Sequence, residues 1–243
     1  MRALSHADCL ALWERGQTLH PLDQGLLAVQ AAFPESQRES VADWPLGRRN
    51  RALAQLRCAC FGRWLRGWTA CEKCGERLEF EVDGNALSAS NVGSTDESIE
   101  VQGDVFRLPT SRDLACIASE HDPSVAAVHL MEQCMVSSTS QDSGARRLDE
   151  QKWTEEELDA IGERMAQADP LAEILLHFDC PVCSHAFDMC LDLAAFLWSE
   201  LEGRAKRLLR DVHTLASAYG WSEVEILSLS PARRDFYLAM VRA

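Results

Sequence analysis

The chain has 243 residues, 47% of them hydrophobic and 26% charged, with a formal net charge of −14. That length buries a real core, in one large domain or two small ones, and the balance is that of a folded globular protein. No window approaches the ~18 uncharged apolar residues of a membrane span, so no membrane partner is expected.

The charge is unevenly spread. Residues 1–70 carry 9 Lys+Arg against 6 Asp+Glu, residues 71–179 carry 8 against 24, and residues 180–243 carry 7 against 8. A middle this acidic repels phosphate backbones, so no nucleic-acid partner is expected. It reads as solubility, with docking onto a basic protein partner as the sharper alternative. Seven tryptophans against two tyrosines suit a core plus some partner-facing surface.

Met1-Arg2-Ala3-Leu4 runs at once into His6, Asp8, Glu14 and Arg15, which leaves no apolar export segment. The expected compartment is the cytoplasm, where ten cysteines are reduced thiols and CxxC pairs read as metal ligands before disulfides.

The first 70 residues read as helices. Ser5 caps the first with Asp8 three residues on, and Leu10 and Trp13 give it an apolar face before Gly16. Pro21 opens a second that carries Leu22, Leu26, Leu27 and Val29 and stops at Pro34. After Trp44-Pro45, Leu46, Leu53, Leu56 and Cys60 recur at helical spacing, with Arg48-Arg49-Asn50-Arg51 as a solvated face.

The middle changes period. Residues 77–83 alternate polar and apolar as a half-buried strand, residues 84–98 read as a loop, and residues 99–108 alternate around Gly103 as a hairpin or bulged strand. Pro109-Thr110-Ser111 opens a short helix, and residues 137–149 read as a flexible connection. Trp153, Thr154, Glu157 and Leu158 spell a capping box with a hydrophobic staple, and Trp221, Ser222, Glu225 and Ile226 repeat it. Between these, Leu197, Leu201, Ala205, Leu208, Val212, Leu215 and Tyr219 form one long amphipathic helix ended by Gly220. Arg204, Lys206, Arg207 and Arg210 lie along it as a solvated cluster. Ser230 and Pro231 start a last helix.

Cys71-Glu72-Lys73-Cys74-Gly75 and Cys180-Pro181-Val182-Cys183-Ser184 carry the chemistry. Each CxxC turn brings two thiolates to one point, and two turns supply the four tetrahedral ligands of a closed structural zinc site. Cys71, Cys74, Cys180 and Cys183 are therefore the expected metal ligands, and Zn2+ the expected cofactor. Strand-like sequence beside each knuckle is the layout of a zinc ribbon, split here by 105 intervening residues. Cys58, Cys116, Cys134 and Cys190 read as small core hydrophobes, and His185 as a weak alternative ligand.

Four thiolates leave no open position for a catalytic water. There is no HExxH, GxSxG, P-loop or strand-linked GxGxxG, and no His is followed two residues on by Glu. No enzyme is expected. A thiol-disulfide enzyme would need a CxxC opening a helix, which the strand-like sequence after Cys74 does not fit.

The stretch from Phe178 to Cys183, Asp192 to Trp198, Ala218 to Ser222, Leu229 to Arg234 and Tyr237 resembles one contractile-tail family. Its members occur in phage tails and phage-tail-like injection systems, and are described as baseplate or baseplate-hub assembly chaperones of the T-even phage type. His20-Pro21-Leu22-Asp23, Leu46-Gly47-Arg48-Arg49, the first knuckle and Phe106 to Leu114 add to the resemblance. It implies baseplate or hub proteins as partners, assembly without catalysis, and a cytoplasmic protein or one incorporated in a particle. Trp198, Tyr219, Trp221, Arg233, Arg234 and Tyr237 are then the candidate contact residues. A permanent baseplate subunit and a zinc-ribbon regulator or adaptor are the alternatives.

The fold class expected is α+β, a mostly helical body with a split four-cysteine zinc ribbon and a small β insertion. Its parts are an N-terminal helical segment (1–70), the split ribbon with inserted strands and helices (71–190), and a C-terminal helical segment (191–243).

Overall fold

The computed structural model describes residues 1–34, 40–89, 98–138 and 153–242. Three helices come first: α1 (His6–Gly16), α2 (Pro21–Ala32) and α3 (Leu46–Phe61). The Ser5/Asp8 capping box and the proline in the first turn of α2 start the first two as the sequence leads one to expect.

The antiparallel hairpin β1 (Trp64–Ala70) and β2 (Arg77–Asp83) follows, then a short α4 (Gly84–Ala89). Residues 64–70 are thus a strand, not the end of a helical segment. Leu65 is buried while Trp64, Arg66 and Trp68 face out; two tryptophans on the outer face, opposite Gly67 and Thr69, mask the polar–apolar alternation of a half-buried strand. Residues 84–89 are helical rather than a loop, and residues 90–97 lie outside the described residues.

The inserted unit contains β3 (Ser98–Val101), β4 (Asp104–Arg107), α5 (Ser111–Ile117), α6 (Pro123–Cys134), β5 (Met135–Ser138) and α7 (Glu155–Ala168). The hairpin turns at Gln102 and Gly103, both at positive φ, and β5 adds a third antiparallel strand beyond β4. Residues 137 and 138 end β5, so they are not part of a flexible connection; residues 139–149 lie outside the described residues. α6 has no counterpart among the elements expected from the sequence, although Asp122, whose side chain accepts from the Ser124 amide, and Pro123 mark its start.

The chain returns through a second hairpin, β6 (Leu175–Asp179) and β7 (Ala186–Cys190). It closes with α8 (Leu193–Tyr219), α9 (Glu223–Ser228) and α10 (Pro231–Arg242). Asp192 caps α8 by accepting from the Ala194 and Ala195 amides, and Gly220 ends it in the left-handed conformation. The fold is α+β with small strand elements, as expected.

Three apolar cores divide the work. The largest joins α1, α2, α3 and Leu65 to Leu171, Ile174 and the first half of α8, so the two terminal helical segments share one core. Within it Trp198 lies over Gly16, where a Cβ would sit 2.2 Å from the indole. A second core, around Phe106, Cys134, Trp153 and Ile161, belongs to the insertion. A third, of Leu215, Ile226 and Leu238, closes the C-terminus.

The amino end of α3 ties the insertion to the body. The Gly47 amide donates to buried Asp169 (2.7 Å), and Asn50 donates to the Leu171 and Ala172 carbonyls (2.7 and 3.2 Å). Leu46 donates to the Pro109 carbonyl (3.0 Å), and Arg49 to the Ser111 hydroxyl (3.1 Å). Arg49 and Asn50 are buried, not solvated: their polar atoms satisfy the stems of the insertion, a role that residue type alone does not reveal. Further along α3, buried Arg57 forms a two-pronged ion pair with Glu200 of α8 (2.8 Å each).

Candidate metal centre

Both CxxC turns sit at hairpin tips. The first spans the gap from the Ala70–Arg77 pair, the second from the Asp179–Ala186 pair. Their backbones follow one scheme. Cys71 donates to Glu76 O and Gly75 to Cys71 O (2.8 Å each); Cys180 donates to His185 O and Ser184 to Cys180 O (2.9 Å each). The fifth residue of each turn takes positive φ, +75° at Gly75 and +54° at Ser184. Glycine adopts that conformation freely, whereas Ser184 holds it against its own Cβ.

The hairpins are separate two-stranded sheets that meet through their aromatic faces. Phe80 of β2 meets Phe178 of β6 edge to face, ring centres 6.1 Å apart, and Phe178 stacks on Phe187 of β7 at 5.5 Å. Gly67 leaves room for the Phe80 ring on the paired strand.

This brings all four predicted sulfurs together. The Sγ atoms of Cys71, Cys74, Cys180 and Cys183 lie within 4.8 Å of one another. The cross-hairpin pairs are Cys71 with Cys183 at 3.6 Å and Cys74 with Cys180 at 3.5 Å. A disulfide needs ~2.05 Å, whereas a tetrahedron of Zn–S bonds of ~2.3 Å has edges of about 3.8 Å. The separations therefore suit four ligands around one ion. Cys71 and Cys180 are 2% exposed; Cys183 is half-buried and Cys74 faces solvent.

The thiols titrate against one another. The Cys183 amide, followed by the Val182 amide and the Cys74 and Cys183 thiols, brings Cys180 down to about 7 against the effect of burial. For Cys74 the Glu76 amide favours the thiolate, but local desolvation of the sulfur beside the cluster and its contacts with the other three sulfurs prevail and push it up to about 12. Cys183 is raised too, by burial and by Cys180 and Cys71, against the His185 amide. The turns thus support a thiolate at Cys180 through backbone amides, and a bound cation would favour ionisation of Cys74 and Cys183 beside it.

His185 stacks on Phe187 instead of joining the sulfurs. Neither CxxC opens a helix. Of the remaining cysteines read as core, Cys134 is fully buried; Cys58 is half-buried, and Cys116 and Cys190 are exposed on the outer faces of their elements. Sulfur beside apolar neighbours in sequence does not fix which face it takes.

The contact residues read from resemblance separate. Tyr219, Trp221 and Tyr237 pack on one another, with Tyr219 and Trp221 stacked at 4.8 Å and Tyr237 edge-on to both. Trp198 is held over Gly16, and Arg234 is buried, 3.3 Å from Asp211 and 3.1 Å from His6. Arg233 is exposed. Comparison with protein-family models, with curated proteins and with solved structures returns no match. Among the described residues no helix is long and apolar enough to cross a membrane.

Proposed function

We propose that the four cysteines hold one structural Zn2+ and that the protein, without catalysis of its own, assists assembly of the baseplate or hub of a contractile tail or injection system. The observation that carries the metal reading is the convergence of four sulfurs from two hairpin tips of matching backbone geometry. Four soft thiolates in tetrahedral reach select zinc or iron over harder ions, and zinc suits a site with no open position. The assembly role is supported by the sequence resemblance, whose residues from Asp192 to Tyr237 build α8, α9 and α10.

Elemental analysis of purified protein tests the metal: one zinc per chain is expected, and an iron or metal-free protein would sink that part. A tagged copy in the native host tests the role. Baseplate proteins should co-purify with it while finished, sheathed particles lack it. A stoichiometric copy in the particle would make it a permanent subunit instead, and no tail protein in either sample would overturn the assembly reading.

A further inference from the structure

A cleft of about 610 Å³ opens between the start of α1, the C-terminal half of α8 and α10. It reverses the charge of the chain around it. Arg204, Arg207, Arg210 and Asp211 line it from α8; Arg234, Asp235 and Arg242 line it from α10. Five arginines against two aspartates stand here in a protein of net charge −14. Leu208 and Leu238 form the floor, with Pro231 at the rim and His6 at the α1 end.

The arginines fall into two kinds. Arg204 is partly engaged by the body, donating to the Cys60 carbonyl at 2.7 Å and lying over the Phe61 ring. Arg207, Arg210 and Arg242 are exposed, and none forms an ion pair among the described residues, Arg210 donating from Nε to the Lys206 carbonyl of its own helix (3.1 Å). Beneath them Arg234 is 6% exposed, and its Nε makes no hydrogen bond although Asp211 Oδ2 is 3.3 Å away. That nitrogen is enclosed and paired with Asp211, and Nη1 lies 3.1 Å from His6 Nδ1, so Arg234 adds positive charge beneath the cleft while the exposed arginines above it meet the solvent.

We propose that this cleft docks an acidic peptide segment of a partner protein, its carboxylates meeting Arg207, Arg210 and Arg242. Charge complementarity selects that occupant. A dense run of phosphates would be repelled by Asp211 and Asp235, and no Phe, Tyr or Trp lines the cleft as a platform for bases. A peptide can instead use those aspartates as acceptors for its amides and lay an apolar side chain toward Leu208 and Leu238. Arg233 lies outside the stripe of α10 that faces the cleft, since positions 231, 234, 235, 238 and 242 share one side. This inference rests on the assembly reading only for the partner's biological identity; the binding chemistry comes from the cleft.

The test uses the full chain and a fluorescein-labelled peptide of Glu- and Leu-rich helical turns, read by fluorescence anisotropy. Arg207→Glu/Arg242→Glu should weaken binding at least about tenfold, Arg207→Gln/Arg242→Gln by less, and Arg233→Glu by little, with salt weakening the wild type most. Thermal melting of each variant checks that the exposed substitutions leave the fold intact. Equal binding of a Gln-for-Glu peptide, binding untouched by the Arg207/Arg242 reversals, or full displacement by inorganic phosphate would each overturn the proposal. So would a wild-type dimer that those reversals dissociate, because the acidic occupant would then be a second copy of this chain. Particle yield is not a readout, so failure here leaves the assembly reading standing.

Discussion

Gly47→Ala tests the joint between the insertion and the helical body. A Cβ at position 47 would stand 1.6 Å from Asp169 Oδ1 and 2.5 Å from its Cγ. Asp169 is buried, so it cannot swing into solvent without dragging the chain between α7 and β6. The substitution removes the Gly47 amide bond to the carboxylate (2.7 Å), a charge-assisted bond of about 1.5–3 kcal/mol. Forcing two buried groups apart costs about 1–3 kcal/mol more. Alanine returns about 1 kcal/mol through helix propensity. The net expectation is a loss of about 2–5 kcal/mol, read as a lower urea midpoint by far-ultraviolet circular dichroism. Asp169→Ala alone should cost about 1–3 kcal/mol, because it leaves the Gly47 amide buried without an acceptor. The double variant should cost no more than Asp169→Ala, since alanine at 47 then has room; that non-additivity is the signature of a direct contact. A Gly47→Ala protein as stable as wild type, or additive losses in the double variant, would refute the packing argument.

Other outcomes follow from the site and the termini. Cys74→Ser should abolish stoichiometric metal and lower the melting midpoint, and a chelator should do the same to the wild type but nothing further to the variant; undiminished zinc in Cys74→Ser would contradict a four-sulfur site. Ser184→Gly should stabilise the protein by up to about 1 kcal/mol and Gly75→Ala destabilise it by about 1–2, because both positions sit at positive φ; opposite signs in thermal melts would refute the shared turn geometry. Burial, followed by the Arg234 and Arg204 charges, holds His6 below its ordinary range, so the unfolded chain binds the proton more tightly. Stability at this site is present above about 6.5 and lost as pH falls from there toward the lowered folded value. His6→Gln should therefore flatten the acid side of the stability profile between about pH 7 and 5, and an unchanged slope would show that His6 does not titrate in this way.

The elements legible in the sequence were those whose signals are local. Capping boxes at Ser5, Thr154 and Ser222, the proline starts of α2 and α10, and the apolar stripe of α8 each write their element within a few residues. The metal cluster was legible for a different reason, because two CxxC turns restrict their own geometry before the fold does. What stayed hidden depends on distant partners. Arg49 and Asn50 look like a solvated basic face until Ser111, Leu171 and Ala172 arrive from more than sixty residues away. Arg234 looks like a surface contact until α10 folds back onto Asp211 and His6. Likewise β1 carries Trp64 and Trp68 on its exposed face, so its sequence lacks the polar–apolar alternation that marks β2.

The position of the four-cysteine cluster within this architecture changes what a bound metal would contribute. Taken from sequence, an ion joining Cys74 to Cys180 closes a loop of 105 residues. In the structure the insertion is already bound to the start of α3 at two places, by Leu46 and Arg49 to Pro109 and Ser111 between β4 and α5, and by Gly47 and Asn50 at its returning end. Measured from those anchors, the segments left to be joined are the chain from Phe61 to Cys74 and that from Ala172 to Cys180, roughly 20 residues together. Closure entropy grows only as the logarithm of length, so this shortening reduces the entropic task left to the metal by about 1.4 kcal/mol. The helical joint gathers the distant segments, and an ion at the sulfurs would lock the tips of two hairpins whose aromatic faces already touch at Phe80 and Phe178. Without an ion the sulfurs compete for protons, with Cys180 lowered to about 7 beside Cys74 raised to about 12. Binding of a dication removes that conflict at the hairpin tips, while the buried packing of α1, α2, α3 and α8 depends on none of the four cysteines.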